Sequence, residues 1–471
     1  MQTARANWLR HLEGQRGRWV VPDSASRLWD RSLEASSEDE IRAMQGERLR
    51  LLVHYAYECI PFYRRRFDRI GLVPKDIQTV DDLPRIPITT REEMAEDALA
   101  HPPWGTYTAI DDARWRERGW QTFATSGTTA QPRVFRYTEL DRKLWAWLEA
   151  RAMWAMGARP GRDSALVAFG YGPHVWLWGM HYGLDLMRIP KVTAGGMDSR
   201  SRVALIDRYK PTILACTPSF ALFLGNLATE MGVDPQRSSV RLLFCAGEPG
   251  FSVPATRRRL EEMWGAELHD FYGCTEASPA PGGYTCSAAS EHAESAHLHL
   301  TEDAQIWEAV DPRTLGPMEN GRLGASVVTN LMSEASPQLR FLVGDYVSLR
   351  REECGCERTH LCATGGFRGR MDDILNIRGV TLFPSAIEDV LRNVPNISDE
   401  YQIEIRRESE LDVLDLRVEA RSAADDPAPI AADVAQRVLE ACRVRPVVCV
   451  VPNGTLPRTE FKAKRVTDLR T

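Results

Sequence analysis

The 471-residue chain lacks a long apolar run, since no stretch approaches the roughly 20 residues of a membrane-spanning helix. Its first residues lack the apolar core of a secretory signal, so we expect a cytoplasmic protein without membrane attachment. An excess of charge of one sign is also lacking, because the formal net charge is only −6. Basic residues are scattered and do not alternate with aromatic ones, so a nucleic-acid partner is not expected.

A disulfide framework is not predicted either. The ten cysteines are unevenly spread, and several, such as Cys216, lie in apolar segments, which is typical of a reducing compartment. The chain also lacks the Gly-Lys-Ser/Thr end of a Walker phosphate loop. ATP chemistry of the Walker type is therefore not predicted.

The most informative segment present is the hydroxyl-rich stretch 125–132. It contains Thr125, Ser126, Gly127, Thr128 and Thr129 and ends at a proline. Hydroxyls and backbone amides around a glycine suit the binding of phosphate oxygens. From these residues alone, an ordinary Ser/Thr/Gly surface turn remains an equal alternative.

The length predicts two or more domains. Helical periodicity covers residues 38–57 and 141–156, and short apolar strands at 165–169, 212–216 and 240–245 then alternate with helical segments. This alternation indicates an α/β fold with parallel strands, whose ligands bind beyond the carboxyl ends of those strands. We predict a large N-terminal domain, residues 1–371, with parallel-rich sheets and helices. A small α+β C-terminal domain, residues 372–471, follows.

An ordered set of motifs carries a resemblance to a known family. The segment 125–132 is followed by Tyr-Gly-Cys-Thr-Glu at 272–276, Val-Gly-Asp at 343–345, Gly-Arg-Met-Asp-Asp at 369–373 and Pro-Arg-Thr-Glu-Phe-Lys at 457–462. Together they resemble the adenylate-forming superfamily of acyl-CoA synthetases, luciferases and peptide-synthetase adenylation domains. The segments 60–63, 83–87 and 377–384 are similar to its phenylacetate–CoA ligase branch.

The resemblance implies a role for each nucleotide-site residue. Segment 125–129 would hold the β- and γ-phosphates of ATP, Thr275 would donate to the α-phosphate, and Glu276 would bind Mg²⁺. Asp345 would accept both ribose hydroxyls. The adenine would lie near Ala246, Gly247 and Glu248, with Tyr272 stacking and Gly273 beside it. For Glu276 and Asp345 the alternatives are a solvated carboxylate and a turn aspartate.

The resemblance also implies a mobile C-terminal domain that carries the catalytic lysine. Lys462 would bridge the substrate carboxylate and the α-phosphate, with Lys464 as a competitor. Asp372 would be the pivot of a rotation that prepares the thiol step, and Arg370 would contact phosphate or ribose. Two departures stand out: Ala130-Gln131 replaces the usual Gly-Lys, where Arg133 is a candidate substitute, and Phe461 replaces a glycine.

A structural zinc site is a further prediction. Cys354 and Cys356 form a Cys-x-Cys pair, and Cys286 precedes several histidines. Three thiolates and one imidazole suit tetrahedral zinc. Likeness to some phenylacetate–CoA ligase relatives singles out His299. Reduced cysteines without metal are the alternative.

The family likeness places the acid near Phe169, Tyr171, Gly172, His174 and Trp176, with Trp178 in the same aromatic run. One interpretation is a flat slot for an aromatic or heteroaromatic acid. The other is a buried helix whose tryptophans pack into the core.

The predicted activity is AMP-forming acid–CoA ligation with ATP, Mg²⁺ and coenzyme A. The alternatives are transfer to the phosphopantetheine of an acyl carrier protein or to an amine, and a nucleotide-binding protein without ligase activity. Either a monomer or a homodimer fits the sequence.

Overall fold

The computed structural model describes residues 2–125, 133–172, 175–288, 297–371, 373–378, 380–408, 411–422, 426–458 and 465–470. Its contacts divide into two compact units. The first unit comprises residues 1–164, 171–191 and 271–366, and the second comprises 165–170, 192–270 and 367–471. The predicted boundary between residues 371 and 372 remains a prediction.

Helices dominate the beginning of the first unit, as the sequence indicates. The longest, Glu38–Cys59, begins at a capping box in which Ser37 Oγ accepts from the Glu40 amide at 3.3 Å and Glu40 accepts from the Ser37 amide at 2.8 Å. It ends where Pro61 starts the next helix. The helices of this unit are Gln2–Glu13, Arg31–Glu34, Glu38–Cys59, Pro61–Arg69, Arg91–Ala100, Asp112–Arg118, Glu139–Ala155 and Val175–Met187, with 3₁₀ turns at Gly14–Arg18, Pro74–Asp76 and Val80–Arg85.

The strands of the first unit are mostly antiparallel. Gly119–Ala124 and Val134–Thr138 form a hairpin with Ala124 opposite Val134, so residues 125–133 connect its strands. A second sheet contains, in spatial order, Gln305–Val310, Leu323–Asn330, Phe341–Arg351, Leu361–Thr364, His297–His299 and Gly283–Tyr284, followed by the last two residues of Glu267–Tyr272. Asp345 therefore lies on a strand of this sheet.

Helices Glu139–Ala155 and Val175–Met187 pack closely against each other, and glycines make this possible. A Cβ atom at Gly179 would come within 2.4 Å of Trp145 Nε1. A Cβ atom at Gly183 would lie 3.0 Å from the Ala150 amide nitrogen and 2.3 Å from the Met153 methyl. The two glycines are four residues apart and so share one face of their helix.

The second unit contains the predicted parallel strands. Ala165–Val167 pairs in parallel with Ile213–Cys216, which pairs in parallel with Leu242–Ala246. All three strands are buried, which explains their continuous apolar sequences. Val192 and Thr193, the last two residues of the strand Lys191–Thr193, lie at one edge. The intervening helices are Ser199–Tyr209, Pro218–Glu230 and Pro254–Trp264, with a 3₁₀ turn at Pro235–Arg237. The predicted α/β class is confirmed.

The C-terminal part of the second unit has its own apolar core. Its sheet contains, in order, Val447–Val451, Leu411–Ala420, Ile397–Glu408 and Val466–Asp468, and a small hairpin pairs Leu375–Ile377 with Val380–Leu382. Helices Pro384–Arg392 and Pro427–Cys442 cover buried side chains of these strands. Within the described ranges no helix combines the length and hydropathy needed to cross a membrane.

Candidate active site

The base of the hydroxyl-rich segment is a pair of hydrogen bonds. The Thr125 amide donates to the Arg133 carbonyl at 3.0 Å, and the Arg133 amide donates to Thr125 Oγ1 at 3.1 Å. These bonds extend the hairpin by one step beyond the Ala124–Val134 pair. Ser126, Gly127, Thr128 and Thr129 lie outside the described residues, as does the Ala130-Gln131 departure, so their phosphate-binding roles remain predictions.

Tyr272 and Asp345 lie together in the first unit. The Tyr272 hydroxyl donates a short hydrogen bond to Asp345 Oδ2. Burial, with a further contribution from the Asp345 carboxylate, raises the pKa of Tyr272 well above its ordinary value, so its hydroxyl remains a donor. The Tyr272 ring lies edge-on to Trp307, with ring centroids 6.0 Å apart. The aromatic ring of Tyr272 is therefore adjacent to the Asp345 carboxylate, which could accept hydrogen bonds from ribose hydroxyls.

Thr275 and Glu276 follow Tyr272 and Gly273 in a turn of the same unit. The Tyr137 hydroxyl donates to the Thr275 carbonyl at 2.8 Å, which fixes this turn against the hairpin. The Glu276 side chain is only 6% exposed and pairs with Arg133, with Nη2 and Oε1 2.7 Å apart. A buried carboxylate with hard oxygen donors suits Mg²⁺, and here an arginine neutralises it.

Ala246, Gly247 and Glu248 belong to the second unit, where the strand Leu242–Ala246 ends. Gly247 has a φ of +87°, a conformation that glycine adopts without strain. Glu248 accepts from the Ser219 amide at 3.2 Å and from its hydroxyl at 2.5 Å. This contact orients the turn after the strand, and the adenine role of the turn remains a prediction.

The predicted acid-binding residues divide between the units. Phe169 is buried in the second unit. In the first unit, Tyr171 is 51% exposed and stacks on His181 at 5.9 Å, and its ring lies 5.8 Å from Trp178. Trp178 Nε1 donates to the Gly172 carbonyl at 3.0 Å, whereas His174 lies outside the described residues.

The Trp176–Trp178 run belongs to the helix Val175–Met187, which agrees with the helical interpretation. Trp176 is nevertheless only partly buried, and its ring lies 5.8 Å from that of Phe271. The two interpretations of this run are therefore compatible, because a helix can pack one face and present aromatic rings on another.

The residues assigned to the rotation of the C-terminal domain and to the catalytic lysine lie in the second unit or outside the described ranges. Arg370 Nε is 3.9 Å from Asp373 Oδ2, and its side chain is 33% exposed. Asp372 and Lys462 lie outside the described residues, as do Phe461 and Lys464. Their assignments therefore remain predictions.

The predicted zinc ligands converge in the first unit. Cys286 Sγ is 3.5 Å from Cys354 Sγ, and Cys356 Sγ is 3.3 Å from His299 Nε2. Hydrogen bonds from Cys286 and Cys354 lower the pKa of Cys356 far below its usual range, and its bond to Cys354 raises that of Cys286. Burial lowers the pKa of His299, which keeps its imidazole neutral as a metal ligand requires.

Two residues of this cluster were not predicted as ligands. His297 has a ring nitrogen within 4.8 Å of the donor atoms of Cys286, His299 and Cys354. Cys362 Sγ lies 3.4 Å from His299 Nδ1. His297 is two positions before His299 on one strand, so its presence could have been suspected. Cys362 is brought in by the pairing of Cys362 with His299 across neighbouring strands, which no local pattern shows.

Comparison with known proteins identifies the family of the chain. Residues 122–327 match the model of the AMP-binding enzyme family, and residues 379–470 match that of the AMP-binding enzyme C-terminal domain. The chain is 35% identical to a phenylacetate–coenzyme A ligase of Thermus thermophilus, with 94% of this chain and 100% of that protein covered. It is 31% identical to the Escherichia coli phenylacetate–coenzyme A ligase over 93% of this chain and 97% of that protein.

A solved structure is similar over nearly the whole fold. The crystal structure of a 2-hydroxyisobutyryl-CoA ligase, in the postadenylation state with an acyl-AMP, gives a TM-score of 0.88 at 31% identity. The match covers 96% of this chain and 94% of that one. The chain therefore belongs to the AMP-binding, adenylate-forming enzymes, in the phenylacetate–coenzyme A ligase family of AMP-forming acid–CoA ligases.

Proposed function

We propose that this protein activates a small aromatic carboxylic acid with ATP and transfers the acyl group to coenzyme A. In the first step a carboxylate oxygen forms a bond to the α-phosphorus of ATP while the bond to the β-phosphate breaks, which yields acyl-AMP and pyrophosphate. In the second step the thiol sulfur attacks the acyl carbon, the thiol proton is lost, and AMP leaves.

The Tyr272–Asp345 pair is the observation that supports this proposal most directly. A ring that can stack on adenine is joined to a carboxylate that can accept two ribose hydroxyls. Thr275 and Glu276 follow within four residues of Tyr272, where hydroxyl and carboxylate suit a phosphate and its cation. These residues give one segment of the first unit the chemistry of a nucleotide site.

Two metals fit the donor sets present. Glu276 would hold Mg²⁺, which neutralises phosphate charge when bound. Cys286, Cys354, Cys356 and His299 would hold Zn²⁺, with His297 as a further donor beside them, and an ion held by these side chains would have a structural role. No thiol or imidazole of this cluster is assigned a part in the ligase reaction.

An aromatic acid is favoured by the ring-rich segment of the first unit. Tyr171 is half-exposed beside Trp178 and His181, and apolar, flat side chains of this kind suit an aryl ring. Four curated relatives that are 30–35% identical to the chain are phenylacetate–coenzyme A ligases, whereas the solved relative is a 2-hydroxyisobutyryl-CoA ligase. Phenylacetate and 2-hydroxyisobutyrate are therefore the two reference substrates.

A two-step assay tests the proposal. Acid-dependent exchange of labelled pyrophosphate into ATP reports adenylation, and mass spectrometry of the CoA thioester reports transfer. We expect exchange with phenylacetate or a related aryl acid to exceed that with 2-hydroxyisobutyrate. Exchange with none of a panel of aryl and short-chain acids would contradict ligase activity. Exchange without a CoA thioester, but with loading of a phosphopantetheine carrier, would redirect the second step.

A further inference from the structure

Arg133 and Glu276 form an ion pair in the part of the first unit where the hydroxyl-rich segment begins and ends. They are 143 positions apart, and their side chains are 11% and 6% exposed. Resting on the nucleotide chemistry proposed above, we propose that Arg133 is a nucleotide-responsive cation. It occupies Glu276 when the metal is absent and binds the β- or γ-phosphate of ATP when Glu276 takes the metal.

The contact itself suits exchange better than permanent structure. One donor, Nη2, bonds to one carboxylate oxygen at 2.7 Å, so the pair is not the two-pronged arrangement that guanidinium and carboxylate can form. The Arg133 Nε–H is buried and has no hydrogen-bond partner among the described residues. A buried donor left without an acceptor is costly, and a phosphate oxygen would supply one.

The groups around the ion pair strengthen the competition between Arg133 and a metal ion for the Glu276 carboxylate. The neighbouring groups Tyr107, Tyr137 and Cys274 all have pKa values raised by burial, so they are neutral at ordinary pH. Charges in such surroundings interact strongly because little water screens them. A divalent cation on Glu276 would repel the guanidinium and weaken its attraction to the same carboxylate. Arg133 would then favour the nearest remaining anion.

The position of Arg133 in the chain is directly after the segment that is expected to bind phosphate. Its backbone amide and carbonyl both bond to Thr125, so the residue closes the base of the segment that is expected to bind phosphate. The lysine usual in related segments is absent, because Ala130-Gln131 stands there. Arg133 is the first cationic residue after that segment, and it would supply the missing positive charge near the leaving pyrophosphate.

Metal binding without nucleotide gives the first test. Mn²⁺ affinity is measured by electron paramagnetic resonance on wild type, Arg133→Gln, and Arg114→Gln, a control that removes an arginine paired with Asp111 at the surface. Arg133→Gln should tighten Mn²⁺ binding by about tenfold, since one competing charge-assisted hydrogen bond is removed. Glu276→Gln should abolish this Mn²⁺ site, both alone and combined with Arg133→Gln. Unchanged Mn²⁺ affinity in Arg133→Gln overturns the proposal.

Nucleotide kinetics give the second test. Arg133→Gln should raise KM for ATP by about tenfold to a hundredfold with little change in KM for the acid, and Arg133→Lys should restore part of the loss. Equal ATP KM values in wild type and Arg133→Gln overturn the proposal. Wild type that exchanges no pyrophosphate would refute the ligase function instead, and the Mn²⁺ comparison would still test the ion pair. Thermal melting identifies a variant that fails to fold, and Arg133→Met, which also removes the charge but keeps an unbranched side chain, then replaces Arg133→Gln in both tests.

Discussion

The sulfur atoms of Cys286 and Cys354 lie 3.5 Å apart although 68 positions separate the two residues in the chain. Cys354 is only half-buried, but Cys286 is buried together with Cys356 and His299. Thiolates packed this closely repel one another unless protons or a cation lie between them. The same spacing suits sulfur atoms that share one tetrahedral ion.

The purified protein should therefore contain about one zinc per chain, and Cys354→Ser should lose most of it. Loss of the ion should also lower the melting temperature, because metal bound only by the folded state stabilises that state. Cys449→Ser is the matched control, since Cys449 is exposed on the strand Val447–Val451. Elemental analysis is the measurement. Wild-type protein free of zinc after expression with added zinc would contradict the assignment.

Gly179→Ala should destabilise the first unit. The new methyl group would lie 2.4 Å from Trp145 Nε1 and 3.1 Å from Glu149 Oε2, so the two helices must separate or the indole must move. Overpacking of this kind costs about 1–3 kcal/mol. Gly196→Ala is the control, because no heavy atom lies within 4 Å of the added methyl. Urea unfolding of both variants measures the difference, and equal stability would show that the helices adjust freely.

Glu149 should make stability depend on pH. Its side chain is buried, Oε1 has no partner among the described residues, and burial raises its pKa from 4.5 to about 8. Between these two pH values the folded state holds the proton on Glu149, whereas the unfolded state has lost it. The free energy of unfolding therefore falls as pH rises through this window. Below pH 4.5 both states hold the proton, and this contribution to the pH dependence vanishes.

Glu149→Gln should remove that dependence. As pH rises across the window, the free energy of unfolding of the variant should gain on that of wild type by up to about 1.4 kcal/mol per pH unit. Glu139→Gln, at an exposed position of the same helix, is the control. Urea unfolding at pH 5, 6.5 and 8 tests this. A difference that stays constant with pH would show that Glu149 does not titrate on unfolding.

The sequence predicts much of the fold because its signals are local. The parallel strands Ile213–Cys216 and Leu242–Ala246 are short apolar runs, and the helix Pro254–Trp264 begins at a proline after the second of them. Burial on both faces produces such runs, and proline marks the helix start. These features depend on a few neighbouring residues and can be recognised without the partner elements.

Features that depend on distant partners could not be predicted in this way. The ion pair of Arg133 with Glu276 requires the hairpin and the turn after Tyr272 to meet. The close helix approach at Gly179 depends on which face of another helix lies opposite. The family likeness predicts separate roles for Tyr272 and Asp345, whereas the hydrogen bond between them is visible only in the fold. Pairwise geometry of this kind is set by tertiary packing.

Lys462 should be needed for adenylation and not for thioester formation. During adenylation negative charge builds where the carboxylate meets the α-phosphate, and a lysine cation there should contribute several kcal/mol. Lys462→Ala should therefore reduce pyrophosphate exchange by about a hundredfold to a thousandfold. In the thiol step the acyl-AMP already exists, and that charge need not be neutralised by the same group. Supplied acyl-AMP should consequently still yield CoA thioester with the variant at a rate close to wild type.

Lys464→Ala, two positions away, is the control and should retain exchange. Loss of exchange in Lys464→Ala with retention in Lys462→Ala would assign the cation to Lys464 instead.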